Sequence, residues 1–282
     1  MLGKVTLVSV VASLGLATVA WSADMPAPYD PPPSVPISIQ SEAESGGWYL
    51  RGDINHHWTK FRGATYITYG TDQVEPGTNG FTWGKFDSAW SLGGGLGYQI
   101  NRHLRTDLTF DYWFKSSFRG STSGECGGQP CVSDDRSSYK ALLLLANAYV
   151  DLGTYNGVTP YVGAGIGGSY VRWSDLINDI DTGSFRHRGG KGWRFAWALM
   201  AGASVCLTDS LELDAGYRFT HIHGGRMFGY ADLAGPGYDR GFNVHEARAG
   251  LRYSFSGPSL HCAPQQQPAF EQVSYEPAVY KP

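Results

Sequence analysis

Charge is scarce in this sequence: 17% of its 282 residues are Asp, Glu, Lys or Arg, and the formal net charge is -3. A soluble domain ordinarily carries about a quarter, and a nucleic-acid-binding one adds a marked basic excess. Nucleic acid is therefore not expected among the partners. Long apolar runs are missing too once the N-terminus is passed. The best candidate, Ala141 to Val150, stops well short of the roughly 18 uncharged residues a spanning helix requires, with Lys140 and Asp151 at its ends. Any crossing of a membrane beyond the N-terminus must use strands. A strained G-x-S-x-G nucleophile elbow is also absent. What is plentiful is glycine, 38 residues, or about 13% against a usual 7%. With 14% aromatics the chain is too apolar to be disordered, and its glycines disfavour a helical bundle.

The two ends read differently from the middle. Residues 1–23 combine an early Lys4, an apolar run from Val5 to Ala20, and small residues at Ala20, Ser22 and Ala23, the pattern of a secretory signal peptide. Cleavage after Ser22 and cleavage after Ala23 both fit. Residues 24–45 carry Pro26, Pro28, Pro31, Pro32, Pro33 and Pro36, which favours an extended, hydrated periplasmic linker. Residues 257–282, with five prolines and the run Gln265, Gln266, Gln267, are expected to form a flexible periplasmic tail. A single structured region, residues 46–256, lies between.

Within it apolar residues recur at every second position, the period of a strand. Leu211, Leu213, Ala215, Tyr217 and Phe219 alternate with Glu212, Asp214, Gly216 and Arg218; Ala247, Ala249, Leu251, Tyr253 and Phe255 alternate with Glu246, Arg248, Gly250 and Arg252. Similar segments run from Trp48 to Phe61, Phe86 to Ile100, Leu104 to Phe114, Tyr139 to Leu152, Tyr161 to Trp173 and Trp193 to Leu207, which makes eight strands. Their connections alternate in length. Asn101 to His103, Gly153 to Pro160 and Thr208 to Ser210 are tight turns, whereas Arg62 to Lys85, Lys115 to Ser138, Ser174 to Gly192 and His221 to Gly241 are long and Gly-rich. An even strand number with one trimmed and one elaborated end predicts an eight-stranded antiparallel up-and-down transmembrane β-barrel with long extracellular loops.

Alternation alone leaves open which face points inward. Two features favour lipid outside. The polar faces use Arg with Asp and Glu rather than Lys, and guanidinium–carboxylate pairs survive partial burial. Arg218 with Asp214 and Glu212, and Arg248 and Arg252 with Glu246, are therefore assigned to a lumen ion-pair network. Aromatics also gather where two interfacial girdles are needed: Trp48, Tyr98, Tyr161, Tyr253 and Phe255 at the trimmed end, Trp58, Phe114, Trp173 and Trp193 at the other. Eight strands enclose room for side chains only, and small inward residues such as Gly93, Gly95 and Gly97 suit that packing.

The stretches TPYVGAGIG (Thr159 to Gly167), FAWALMAGASVCLTDSLELDAGYR (Phe195 to Arg218) and VHEARAGLRYSF (Val244 to Phe255) resemble the alphaproteobacterial small outer-membrane β-barrel family, which includes outer-membrane immunogenic proteins and porin-family surface antigens. The resemblance implies a monomeric or weakly oligomeric barrel in the outer membrane, among lipid and lipopolysaccharide, with a part in envelope integrity and in contact with host surface molecules. It brings no catalytic site and no cofactor. Leu251, Tyr253 and Phe255 look like the family's C-terminal signal for the barrel assembly machinery, although here a tail follows them.

Four cysteines in an exported chain suggest disulfides. The topology puts Cys126 and Cys131 in one long loop and Cys206 and Cys262 near the trimmed end, so the expected pairs are Cys126 with Cys131 and Cys206 with Cys262. Other pairings would cross the membrane. His56, His57, His221, His223 and His245 are expected near the outer rim, either without a common role or as a metal or pH-sensing cluster. The leading functional reading is a structural, surface-exposed barrel that is not an enzyme. A small-solute porin channel and a lipid-A-modifying enzyme are its rivals.

Overall fold

The computed structural model describes residues 46–70, 75–126, 129–231 and 233–262. The expected signal segment 1–23, the linker 24–45 and the tail beyond residue 262 lie outside the described residues. The strands in chain order are β1 (Trp48–Phe61), β2 (Ala64–Thr68), β3 (Gly77–Phe86), β4 (Ala89–Gln99) and β5 (Leu104–Cys126). There follow β6 (Gln129–Val132), β7 (Asp134–Asp151), β8 (Val158–Trp173), β9 (Leu176–Ile180) and β10 (Gly183–His187). The last are β11 (Lys191–Cys206), β12 (Leu211–Ile222), β13 (Gly225–Phe228), β14 (Ala234–Asp239) and β15 (Phe242–Ser254).

Eight of these close a ring. Starting at Lys60 and stepping from strand to strand through directly paired residues leads to Asn243, His221, Trp197, Ile166, Ala146, Leu108, Leu96 and back to β1 at Leu50. The return falls ten residues below the start, so the ring has a shear of ten. With a rise of about 3.3 Å per residue and about 4.8 Å between strands, that shear tilts the strands by about 41°, inside the range of closed barrels. Closure leaves no unpaired backbone edge along the wall.

The wall alternates as expected. On β15, Glu246, Arg248 and Arg252 are buried while Ala247, Ala249, Leu251 and Tyr253 are exposed, as is Phe255 just after it. Glycine makes the filled lumen fit. A Cβ on Gly97 would lie 2.2 Å from the Tyr49 ring, and one on Gly93 2.2 Å from an Asp111 carboxylate oxygen. These β4 positions must be bare for inward groups of β1 and β5 to pass.

Three expectations are corrected. The long connections are not irregular loops, because most of their length is paired. β5 and β7 continue past the wall, β3 pairs with β5 from Phe81 to Phe86, β9 pairs with β7, and β2, β14 and β13 extend the sheet further. The strands added here are short or Gly-rich, as in Leu176–Ile180 and Gly77–Phe86, and show no sustained two-residue hydrophobic period, which hides them from sequence. The second and third corrections concern girdle residues. Tyr161 and Trp173 face inward, 5% and 3% exposed. On β8 they share parity with Gly163, Gly165 and Ser169, while the charged Arg172 points out. Above the hydrocarbon the outward face turns polar, so the rule that charge marks the inside fails there.

Candidate functional site

The barrel interior has two storeys. In the one near the tight turns, guanidinium and carboxylate groups interlock. Arg51 binds Asp53 at 2.8 Å and Asp107 at 3.1 Å; Arg248 reaches Asp53 at 3.1 Å; Arg105 binds Asp151 at 3.0 Å. Arg218 bridges Asp111 at 2.7 Å and Glu246, and Arg252 meets Glu212 and, at 4.0 Å, Asp214. Glu212, Asp214, Arg218, Glu246, Arg248 and Arg252 all face the lumen, but their pairing differs from the expected one. Arg218 is joined to Glu246 across the β12–β15 pair, not to Asp214 and Glu212 along its own strand. Arg248 is joined to Asp53 of β1. Arg218 and Glu246 are direct cross-strand partners on the lumen face, which sets their side chains side by side. Tyrosines complete the tier: Tyr161 donates to Asp214 at 2.7 Å, and Arg105 stacks on Tyr149 and Tyr161 at 4.2 and 4.5 Å. Each charge is compensated nearby, as burial demands.

A short strap shuts this end. After β15 the chain folds under the mouth, where the Ser259 hydroxyl donates to Glu212 and the His261 ring meets the Arg102 carbonyl at 2.9 Å. Cys262 is disulfide-bonded to Cys206. Residues 259–262 are thus packed, within the stretch where the sequence suggested a flexible tail. Cys131 is disulfide-bonded too, and the side chain of Cys126 lies outside the described residues. Leu251, Tyr253 and Phe255 lie exposed on the outer wall.

Above the charged tier the lumen is plugged by aromatics. Phe86, Phe118, Tyr139, Trp173 and Phe242 stack at centroid distances of 5.0–5.9 Å. The histidines do not gather around it. His57 is buried against Trp113 at 4.9 Å, His56 lies outside between Trp58 and Trp90, His221 and His223 sit together at 5.0 Å, and His245 bonds the Tyr217 hydroxyl at 2.6 Å. Among the described residues no three His, Cys, Asp or Glu side chains come together as metal ligands.

Over the plug the crown encloses a cavity of about 380 Å³. Its walls include Tyr66, Phe81, Leu176, Ile180, Phe185 and Phe228, and its polar groups Thr122, Ser133, Asp135 and Asn178. Tyr66, Phe81 and Phe228 stand mutually 6.2–6.4 Å apart. Asp135, fully buried, accepts a hydrogen bond from the Ser133 hydroxyl at 2.9 Å and one from the Asn178 amide at 2.5 Å. Burial raises its carboxyl from its ordinary value, and the two donors only partly oppose that. An apolar cup with a few converging polar groups is the ordinary make-up of a small-ligand or side-chain pocket. None of these residues was singled out in the sequence, since they come from seven strands and one connection that only the crown's pairing brings together.

Comparison with known proteins gives a consistent picture. The family model for the outer membrane protein beta-barrel domain matches residues 12–255. An uncharacterized protein of Brucella abortus is 39% identical over 245 residues, covering 74% of this chain and 85% of that one. The 25 kDa outer-membrane immunogenic protein of Brucella canis is 24% identical over 86% of this chain and 94% of its own. A putative adhesin of Rickettsia bellii is 26% identical over 60% of this chain and 76% of its own.

Proposed function

The chain belongs to the outer membrane β-barrel domain family and resides in the outer membrane, and on that premise we propose that it is a non-catalytic surface barrel. It strengthens the envelope and meets host or environmental molecules through its crown. The observation that carries this reading is the division of the interior, with a charged tier strapped at one end, an aromatic plug above it, and an open cup only in the crown. The tight turns, the strap and both ends of the barrel domain then belong to the periplasm, as does the linker 24–45, and the crown lies outside the cell. Lipid and lipopolysaccharide surround the wall, and the barrel assembly machinery reads the outward Leu251, Tyr253 and Phe255.

The immunogenic and adhesin names of two relatives support surface contact, and the diverging histidines speak against a rim catalytic site. Protease treatment of intact cells tests the reading: cuts are expected in the crown, and none in residues 24–45 or in the strap. Cleavage of the strap in intact cells overturns the orientation. Stable porin-sized conductance in planar bilayers overturns the closed lumen, and an altered lipid A acyl pattern on deleting the gene overturns the non-catalytic role.

A further inference from the structure

Five lysines fall among the described residues, Lys60, Lys85, Lys115, Lys140 and Lys191, and every one is exposed at the crown end of the wall. Three strands align part of this set. Lys140 of β7 is directly paired with Arg172 of β8, which is directly paired with Lys191 of β11. On the other flank, a bulge in β5 between Trp113 and Ser116 leaves Phe114 and Lys115 both exposed opposite Lys140. Bulges re-aim side chains in this way. Four cations therefore stand in one row on four neighbouring strands, across about 14 Å.

Like charges directly opposite one another destabilise a sheet, and among the described residues no carboxylate forms an ion pair with these four. The exposed carboxylates nearby are engaged elsewhere: Asp87 with Arg119 at 3.5 Å, Asp134 with Arg136 at 2.6 Å, and Asp175 with Arg186 at 2.8 Å. The step toward the membrane is apolar. Leu142, Tyr170 and Trp193 are the next residues on the same face and are paired with one another, with the Tyr170 and Trp193 rings 5.5 Å apart. Aromatics of this kind sit at headgroup level. The row thus lies at the depth of lipid phosphates, with the planar guanidinium of Arg172 central and flexible ammonium groups around it.

We propose that Lys115, Lys140, Arg172 and Lys191 form a binding seat for the phosphate groups of a phosphorylated glycolipid of the outer leaflet, lipid A. The seat is separate from the crown cup and rests only on the crown end facing outward, which surface proteolysis tests independently. The lipid supplies the negative charge that the sheet lacks, and its acyl chains lie against Leu142, Tyr170 and Trp193.

The test uses the full chain in detergent micelles, with diphosphoryl lipid A or the same lipid stripped of phosphate, read by native mass spectrometry. Retention of diphosphoryl lipid A is expected to exceed that of the stripped form by about tenfold or more, and to fall by a similar factor in Lys115→Gln/Lys140→Gln/Arg172→Gln/Lys191→Gln. The control Arg119→Gln/Arg186→Gln should retain it fully. Lys140→Gln/Lys191→Gln, two exposed changes that break no contact, gives the reading should the fourfold variant fail to fold. Equal retention by variant and parent, or equal retention of stripped lipid, overturns the proposal.

Discussion

The charged tier and the crown are built on the same strands and obey opposite rules. Below, inward positions carry Arg and Asp, every group is enclosed, and a strap covers the mouth. Above, inward positions carry Phe, Tyr and Leu, and the space between them stays open. Membrane depth accounts for the difference. Where lipid surrounds the wall, the apolar face is already spent outside, so the lumen is left with polar residues that must satisfy one another. Where water surrounds the crown, the apolar face can turn inward and build an ordinary core. The outward lysines and Arg172 mark the level at which this reversal happens.

If that contrast is right, single charges matter greatly below and little above. Arg218→Met leaves Asp111 and Glu246 buried without their cation and is expected to cost about 3–5 kcal/mol, seen as early loss of the heat-resistant folded band in detergent. The matching change in the crown, Arg119→Met, removes an exposed partner of Asp87 and is expected to cost less than about 1 kcal/mol. Equal losses would erase the distinction. Next in size is Tyr217→Arg. Tyr217 is 45% exposed on the outer wall, and Arg facing lipid near the midplane costs about 2–4 kcal/mol. A normal yield of inserted protein would mean that this face does not meet hydrocarbon. The strap comes third: Cys206→Ser/Cys262→Ser should lower stability by about 2 kcal/mol. It should also expose residues 256–262 to protease in the purified protein while the ring stays folded, because Arg252 still holds Glu212.

The same contrast explains what sequence disclosed. The wall was legible because lipid enforces a two-residue period: β1 was placed at Trp48–Phe61 from sequence and is found there, and Tyr217 and Leu251 point outward as their parity requires. Lumen membership followed from the same parity, but partners did not, since Arg218 and Asp111 are 107 residues apart and meet only after closure. Tyr161 and Trp173 misled because a large aromatic near a strand end suits a girdle and a plug equally. The crown was illegible, as Asp135 and Asn178 sit in stretches without periodicity and meet through the short β7–β9 pairing.

Asp135 gives the smallest and most local test of the two regimes. Its folded carboxyl is raised by burial, then further by the neighbouring Asp134 and Asp179, against the pull of Asn178 and Ser133. A group raised in the folded state favours folding most when protonated, so its contribution is full below the ordinary carboxylate range and is lost as pH rises through the folded value. The crown should therefore be cut more slowly by an acid-tolerant protease at acidic than at neutral pH, once rates are normalised to an unfolded substrate. Asp135→Asn should abolish that difference by making the neutral-pH crown as resistant as the acidic one. A pH dependence that survives Asp135→Asn would assign it to another group of the crown and take from Asp135 the role its burial gives it.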